Sequence, residues 1–251
     1  MRDMIYQEFY KFKKLRSVYF GILFVIIMII YTALTSENSA NMFIVGFGMA
    51  QWIGMILITI SSYFILMECD YNTIIQIIYK NNSKFKIYFS KLWIIIIYSI
   101  ILHLIGFTLT MLIKFLYFNN SYNISDQIYN KSLFESLIIN TFGSFAMNLL
   151  LCSIIFLLAN ITYSNVVVVG TGLCFSFFGN SVMSAVMSAL KFTQPILKWN
   201  PFNMFSIMKQ LPNGRYNHAI ELNNLSLVIG TFAYIIVFLY MGFICFKKRR
   251  F

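Results

Sequence analysis

A polar and basic segment separates two long apolar runs, and its sequence, from Glu68 to Lys91, is ECDYNTIIQIIYKNNSKFKIYFSK. Four isoleucines at helical spacing give its first half an apolar face: Ile74, Ile75, Ile77 and Ile78. Asp70 and Asn72 can cap the first helical turn by accepting from its free backbone N–H groups. We therefore expect a cytoplasmic helix that docks a partner protein. The alternative is that the isoleucine face rests on lipid headgroups.

The composition of the chain is that of a membrane protein. Of the 251 residues, 59% are hydrophobic and 11% are charged, and the mean hydropathy is +0.75. A soluble domain carries about 25% charged residues. We therefore predict an all-α integral membrane protein with a single transmembrane domain over residues 1–251. The net charge of +11 fits lysine and arginine gathered at the cytoplasmic face, so no nucleic-acid partner is expected.

Two further features of the composition bear on chemistry and source. The four cysteines include no C-x-x-C pair, so neither a disulfide framework nor a metal site is expected. The abundance of isoleucine, asparagine, lysine, phenylalanine and tyrosine indicates an AT-rich coding sequence, which favours a bacterial source.

Six apolar runs are each close to or above the ~20 residues that a helix needs to cross a bilayer. Their approximate bounds are Val18–Leu34, Met42–Met67, Leu92–Leu116, Leu133–Ala159, Asn165–Leu190 and Leu225–Phe246. We therefore predict six transmembrane helices.

The basic segment 1–17 precedes the first run. Four apolar residues fall close to one face of a helix, and most of the charges fall on the other: Ile5, Phe9, Phe12 and Leu15. This pattern predicts an amphipathic helix that lies in the membrane interface. The alternative is the n-region of a signal peptide, which the long following run and its poor cleavage pattern disfavour.

The placement of lysine and arginine predicts the orientation. With the N-terminus inside, the inner segments hold 13 of these residues and the outer segments hold six. Both termini and segment 68–91 are therefore expected to face the cytoplasm, in a multi-pass protein of the plasma membrane. The outer segment 191–224 combines three prolines with aromatic residues, which predicts extracellular re-entrant or interfacial helices before the last span.

Two rows of residues recur every four positions on the predicted spans: Gly46, Ala50 and Gly54, and then Asn140, Ser144 and Asn148. The small residues of the first row would let helix backbones approach closely. The polar row either lines a substrate path or joins helices through hydrogen bonds. For His103 in the third run, a neutral histidine hydrogen-bonded between helices is favoured over a proton relay or metal ligand, because no acidic or second histidine residue lies in its span.

The sequence lacks the common motifs of catalysis. It contains no G-x-x-x-x-G-K-[ST], no H-E-x-x-H and no G-x-S-x-G. Charged residues are nearly missing from the middle of the predicted spans, although an ion-coupled transporter would be expected to keep some. We therefore expect no enzymatic activity and no cofactor in this chain, and any transport would take its energy from elsewhere.

Two local patterns resemble those of the small six-helix permease subunits of ABC-2 type ABC exporters. The opening Glu8-Phe9-Tyr10-Lys11 is similar to the interfacial helix of that family. Segment 68–91 is similar to its coupling helix, in which an acidic residue ends the second span, a short helix follows, and a serine-basic pattern leads into the third span. The matching positions are Glu68, Thr73, Ile74, Ile77, Ser83, Lys84, Ile87, Ser90 and Lys91, and Asn72 stands where the family usually has glycine or arginine.

The resemblance implies a partner ABC ATPase that binds ATP and Mg²⁺, together with a second permease copy or a sister permease. The helix caps, the isoleucine face and the positions that match the family together make ten residues candidates for coupling this chain to the ATPase: Glu68, Asp70, Asn72, Thr73, Ile74, Ile75, Ile77, Ile78, Ser83 and Lys84. Small members of this kind are similar to permeases for lantibiotic or bacteriocin self-immunity and for the export of cytolytic peptides, which implies an amphipathic peptide substrate. The alternatives are a membrane-anchored immunity or sensor protein that binds peptide without moving it, and an unrecognised membrane enzyme.

Overall fold

A computed structural model describes residues 2–35, 40–70, 83–118, 122–128, 131–189, 198–212 and 222–248. The helices within these ranges are α1 (Arg2–Lys14), α2 (Arg16–Thr35), α3 (Ala40–Ile44), α4 (Met49–Asp70), α5 (Lys84–Tyr117), α6 (Leu133–Thr162), α7 (Asn165–Ala189), a 3-10 helix (Asn203–Ser206), α8 (Ile207–Gln210) and α9 (Asn224–Lys248). Strands β1 (Gln127–Ile128) and β2 (Lys131–Ser132) form a small antiparallel pair before α6.

The described residues include five helical segments long and apolar enough to cross a membrane. These are Arg16–Thr35, Ala40–Glu68, Lys84–Tyr117, Leu133–Thr162 and Asn224–Lys248. The prediction of an all-α membrane protein is confirmed at this level. The fifth predicted run also folds as a helix, α7, in which the apolar part of the described stretch is Asn165–Gly179.

The second apolar run is not one continuous helix. Residues 45–48 form a turn between α3 and α4, in which Gly46, Phe47 and Gly48 have φ values of 63°, 49° and 77°. Left-handed residues end a right-handed helix, and glycine adopts this conformation at little steric cost. The predicted row of small residues is therefore broken at Gly46, and only Ala50 and Gly54 lie together on α4.

Helix α5, which corresponds to the third predicted span, begins eight residues before the predicted apolar run. Ser83 is the N-cap of α5, and its Oγ accepts from the N–H of Lys86 at 3.5 Å. The 34 residues of α5 span about 51 Å, although the hydrocarbon core of a bilayer is only ~30 Å thick. The basic half of segment 68–91 thus continues the third span as a helical extension beyond the membrane core.

The bundle has two distinct ends. At the first, which we call the basal end, α1 packs against the start of α5, and the Nζ of Lys84 donates to the carbonyl of Lys247 in α9 at 3.1 Å. At the opposite end, the short helices of 198–212 pack against α6 and α9. A Cβ atom placed on Gly143 of α6 would lie 3.1 Å from the Cα of Met208. That close approach seats α8 directly against the backbone of α6.

Candidate functional site

Four charged side chains meet at the basal end, and we call them the charge cluster: Glu8, Lys11, Glu68 and Lys91. They come from three helices, with Glu8 and Lys11 on α1, Glu68 near the end of α4 and Lys91 near the start of α5. The last two residues are the two ends of segment 68–91. The cluster therefore joins both ends of this segment to the N-terminal helix.

Each lysine of the charge cluster contacts both carboxylates. The Nζ of Lys11 donates to Oε1 of Glu68 at 2.7 Å and also to Oε1 of Glu8. The Nζ of Lys91 lies 3.0 Å from Oε2 of Glu68 and 4.0 Å from Oε2 of Glu8. Two carboxylates and two ammonium groups make the cluster formally neutral. Lys91 of α5 bridges carboxylates from two other helices, whereas Lys11 joins the carboxylate of its own helix to that of α4.

Burial makes the charge cluster sensitive to the loss of any one member. Glu8 is fully buried, and Glu68 and Lys91 are 3% and 4% exposed, whereas Lys11 is partly exposed. Burial raises the pKa of the Glu8 carboxyl above its ordinary value, although the nearby charge of Lys91 acts in the opposite direction. Burial alone would lower the pKa of Lys11, but its hydrogen bonds to Glu68 and Glu8 outweigh that effect and raise it. A charge left here without its partner would be costly, because its desolvation would no longer be compensated.

Aromatic side chains close the charge cluster on its membrane side. The ring centroids of Phe12 and Phe64 are 5.0 Å apart with an edge-to-face geometry, and those of Phe12 and Tyr98 are 5.3 Å apart. The Nζ of Lys91 also donates to the carbonyl of Phe64 at 2.8 Å and lies 4.8 Å from the centroid of its ring. These contacts fix α1 against α4 and α5 and place aromatic rings directly beside the charged groups.

The predicted coupling residues divide into two groups. Glu68 lies in the charge cluster, Asp70 is the last residue of α4, Ser83 caps α5, and Lys84 contacts α9. Six others lie outside the described residues: Asn72, Thr73, Ile74, Ile75, Ile77 and Ile78. Their proposed contact with an ATPase stays a prediction.

Glu8 and Lys91 belong to the charge cluster, although no functional role for either residue was predicted from the sequence. The predicted apolar face of segment 1–17 contained Ile5, Phe9, Phe12 and Leu15, whereas the buried residues of α1 are Met4, Glu8 and Phe12, so the two faces share only Phe12. Phe9 is instead 44% exposed. Apolar periodicity could not find this face, because an acidic residue occupies its centre and is buried by pairing with lysines from other elements.

A second polar site lies inside the bundle, and we call it the polar node. The Nδ2 of Asn148 on α6 is 3.3 Å from the carbonyl of Ala50 on α4 and 3.3 Å from Nε2 of His103 on α5. The other ring nitrogen of His103, Nδ1, is 2.8 Å from the carbonyl of Ser99. The histidine is thus held between helices by neutral groups, which is the arrangement favoured from the sequence.

The polar row on α6 is buried along its length. Asn140 and Ser144 are 2% and 0% exposed, and Ser144 donates to the carbonyl of Thr141 within its own helix at 2.8 Å. A Cβ atom placed on Gly54 would lie 2.9 Å from Oδ1 of Asn148, so α4 and α6 touch closely at this glycine. The choice between helix packing and a substrate path for these residues stays open.

The described residues show no arrangement that could hold a metal ion. Within them, no group of three or more histidine, cysteine, aspartate or glutamate side chains is placed to hold a metal ion. The charge cluster at the basal end connects segment 68–91 mechanically to α1, because motion of either end of the segment would act on α1 through ion pairs.

Most of the chain matches a known family of membrane proteins. The profile of the ABC-2 family transporter proteins matches residues 4–179, which is more than two thirds of the 251 residues. The chain belongs to the ABC-2 family of transporters. No curated protein matches it significantly.

The charge cluster and the polar node of this ABC-2 permease both lie within the matched range. An ABC-2 permease is the membrane component of an ABC transporter, works with an ABC ATPase subunit and is not itself catalytic. The chain is therefore a multi-pass transport subunit. The resemblance seen in the two local patterns of the sequence is confirmed at the level of the family.

Proposed function

We propose that this ABC-2 permease forms the membrane path of an ATP-driven exporter of amphipathic peptides, and that segment 68–91 docks the ATPase. The observation that carries the coupling role is the charge cluster, since Glu68 and Lys91 at the two ends of the segment contact each other and α1. A force applied to the segment would therefore reach α1, α4 and α5 together.

The ATPase partner supplies the energy in this proposal. ATP and Mg²⁺ bind to that subunit, because this chain has no phosphate-binding loop of the G-x-x-x-x-G-K-[ST] type. The isoleucine face of residues 74–78 supplies the contact. Burying one isoleucine at an interface is worth ~1.5–3 kcal/mol, so two of them account for a change in affinity of about a hundredfold or more.

The same proposal includes an orientation of the protein in the membrane and a number of spans. The basal end, with the charge cluster and the basic residues near it, faces the cytoplasm, and both termini lie on that side. Helix α7 completes a set of six spans, and the short helices of 198–212 belong to an extracellular re-entrant segment. The functional unit contains a second permease copy or a sister permease beside two ATPase subunits, in the plasma membrane of a bacterium.

The peptide substrate rests on the likeness to permeases for bacteriocin self-immunity and cytolytic-peptide export. The broad apolar surface of the bundle suits substrates that enter from the membrane, because only 28% of the residues in the most apolar stretch of α2, and likewise of α9, are buried within the protein. The alternative function, an immunity or sensor protein that binds peptide without moving it, predicts protection that does not depend on ATP hydrolysis.

The experiment compares two variants in cells and in detergent. Ile74→Asp with Ile75→Asp should leave the protein inserted but release the ATPase from a pull-down and abolish peptide export. Lys247→Asp, which changes the net charge by the same amount at an exposed position of α9, is the matched control and should retain the ATPase.

Two results would overturn the proposal. Retention of both the ATPase and export by the double variant would show that the segment is a passive loop. Peptide resistance that survives inactivation of the ATP site of the partner would favour the binding-only alternative.

A further inference from the structure

A groove at the basal end borders the aromatic side chains that close the charge cluster and contains no residue of the polar node. It has a volume of about 110 Å³ and lies between α1, α2 and α5. Its floor consists of buried side chains, among them Phe12, Ile94 and Tyr98, which are 5%, 1% and 3% exposed. Its rim is open to the surroundings at Ile97 and Ile101, which are 37% and 41% exposed.

The floor of the groove is held in place by direct contacts. The hydroxyl of Tyr98 donates to the carbonyl of Val18 at 3.0 Å, which ties α5 to the start of α2. The ring of Tyr98 also meets that of Phe12 at 5.3 Å, which ties α5 to α1. The groove is therefore preformed by three helices and does not depend on a ligand to open it.

The groove changes from charged to apolar along its length. Lys13 lines it where α1 ends, and Arg16, which lies in the sequence between the lining residues Lys13 and Val18, is also exposed. None of the ion pairs among the described residues uses either side chain. From Ile94 to Ile101 the groove follows α5 for seven residues, or about 10 Å along the helix axis.

We propose that this groove binds one acyl chain of an anionic phospholipid, with the lipid headgroup held by Lys13 and Arg16. A chain of methylene groups matches an apolar trough that runs along a spanning helix, and a phosphate matches free cations at its mouth. Basic residues at this level attract anionic headgroups in the membrane surface, each with an effect of about fivefold on affinity. The nearest acidic residue of α1, Glu8, is fully buried in the charge cluster and does not compete.

The site can be tested by native mass spectrometry of the full chain in detergent, with the first bound lipid titrated as phosphatidylglycerol or as phosphatidylcholine. Lys13→Gln with Arg16→Gln should weaken phosphatidylglycerol binding by about 25-fold and leave phosphatidylcholine binding nearly unchanged. Lys247→Gln with Lys248→Gln removes the same charge from the exposed end of α9 and should change neither affinity by more than about twofold.

The apolar part of the groove needs its own variant. Ile97→Trp should fill the trough and weaken binding of both lipids, whereas Leu112→Trp, at another exposed position of α5, should not. Wild-type binding of phosphatidylcholine as tight as that of phosphatidylglycerol would overturn the proposal. It would also fail if the two pairs of glutamine substitutions had equal effects, or if Ile97→Trp had none. These outcomes are independent of ATPase docking and of export.

Discussion

The charge cluster and the polar node perform the same structural task with different chemistry. Each joins three helices, α1, α4 and α5 in the first case and α4, α5 and α6 in the second. The cluster uses full charges at the end of the bundle, whereas the node uses a neutral amide and a neutral imidazole inside it. Ions are far more expensive to place in hydrocarbon than neutral hydrogen-bonding groups. Position along the membrane normal therefore decides which chemistry each junction uses.

The largest effect should follow from removing one charge of the cluster. Lys91→Met would leave two buried carboxylates with only Lys11 between them, and we expect it to lower the free energy of unfolding by ~3–5 kcal/mol. Chemical denaturation in detergent measures this loss. Lys86→Met removes an exposed lysine from the same helix and should cost less than ~1 kcal/mol. Equal losses in the two variants would contradict the importance of the cluster.

A smaller effect is expected at the contact between α4 and α6. Gly54→Ala would place a methyl group 2.9 Å from Oδ1 of Asn148, which its hydrogen bonds hold in place. We expect a loss of ~1–3 kcal/mol, typical of overpacking. Gly170→Ala on α7 is the matched control, because its Cβ would meet nothing within 4 Å, and it should be neutral or stabilising. Similar melting temperatures for the two variants would exclude close packing at Gly54.

The polar node itself should contribute less. Asn148→Ala removes contacts with Ala50 and His103, and hydrogen bonds between membrane helices average ~0.6 kcal/mol, so a loss of about 1 kcal/mol is expected. In the Gly54→Ala background the same substitution should be stabilising, because it removes the clashing oxygen. A double-mutant cycle checks this reversal, and simple additivity of the two losses would refute it.

The smallest effect concerns pH. Burial raises the pKa of Glu8 above 4.5, its ordinary value, so the folded state binds this proton more tightly than the unfolded state. The stabilisation from that proton is fully present below about pH 4.5 and is lost as pH rises through the raised pKa. The stability of the wild type relative to Glu8→Gln should therefore fall as pH is raised from 4 through this window. A pH-independent difference would show that Glu8 keeps an ordinary pKa.

The apolar runs predicted most of the helices because length and hydropathy decide what can cross a bilayer. They could not predict the turn at 45–48, because its residues are about as apolar as those around it, and the helix ends there through the positive φ of Gly46, Phe47 and Gly48. They also could not predict where α5 begins, since Ser83 determines this by capping a polar stretch.

The candidate site was harder to predict for a different reason. Glu68 was singled out from the family pattern, but its partners lie at sequence separations of 57 and 23 residues, and no local pattern encodes such pairing. Small residues at four-residue spacing lie on one helix face only where the chain between them is helical, as it is between Ala50 and Gly54. Pairing between elements, not periodicity within one, decides which charged residues become buried.

The length of α5 has a consequence for how movement would be distributed. A continuous helix of 34 residues behaves as a stiff rod, with Lys91 near one end and Lys114 near the other. If such a rod pivots about its midpoint by about 5°, each end sweeps about 2 Å in opposite directions. A small displacement of α5 at the basal end would thus produce an equal displacement in the opposite direction on the far side of the membrane.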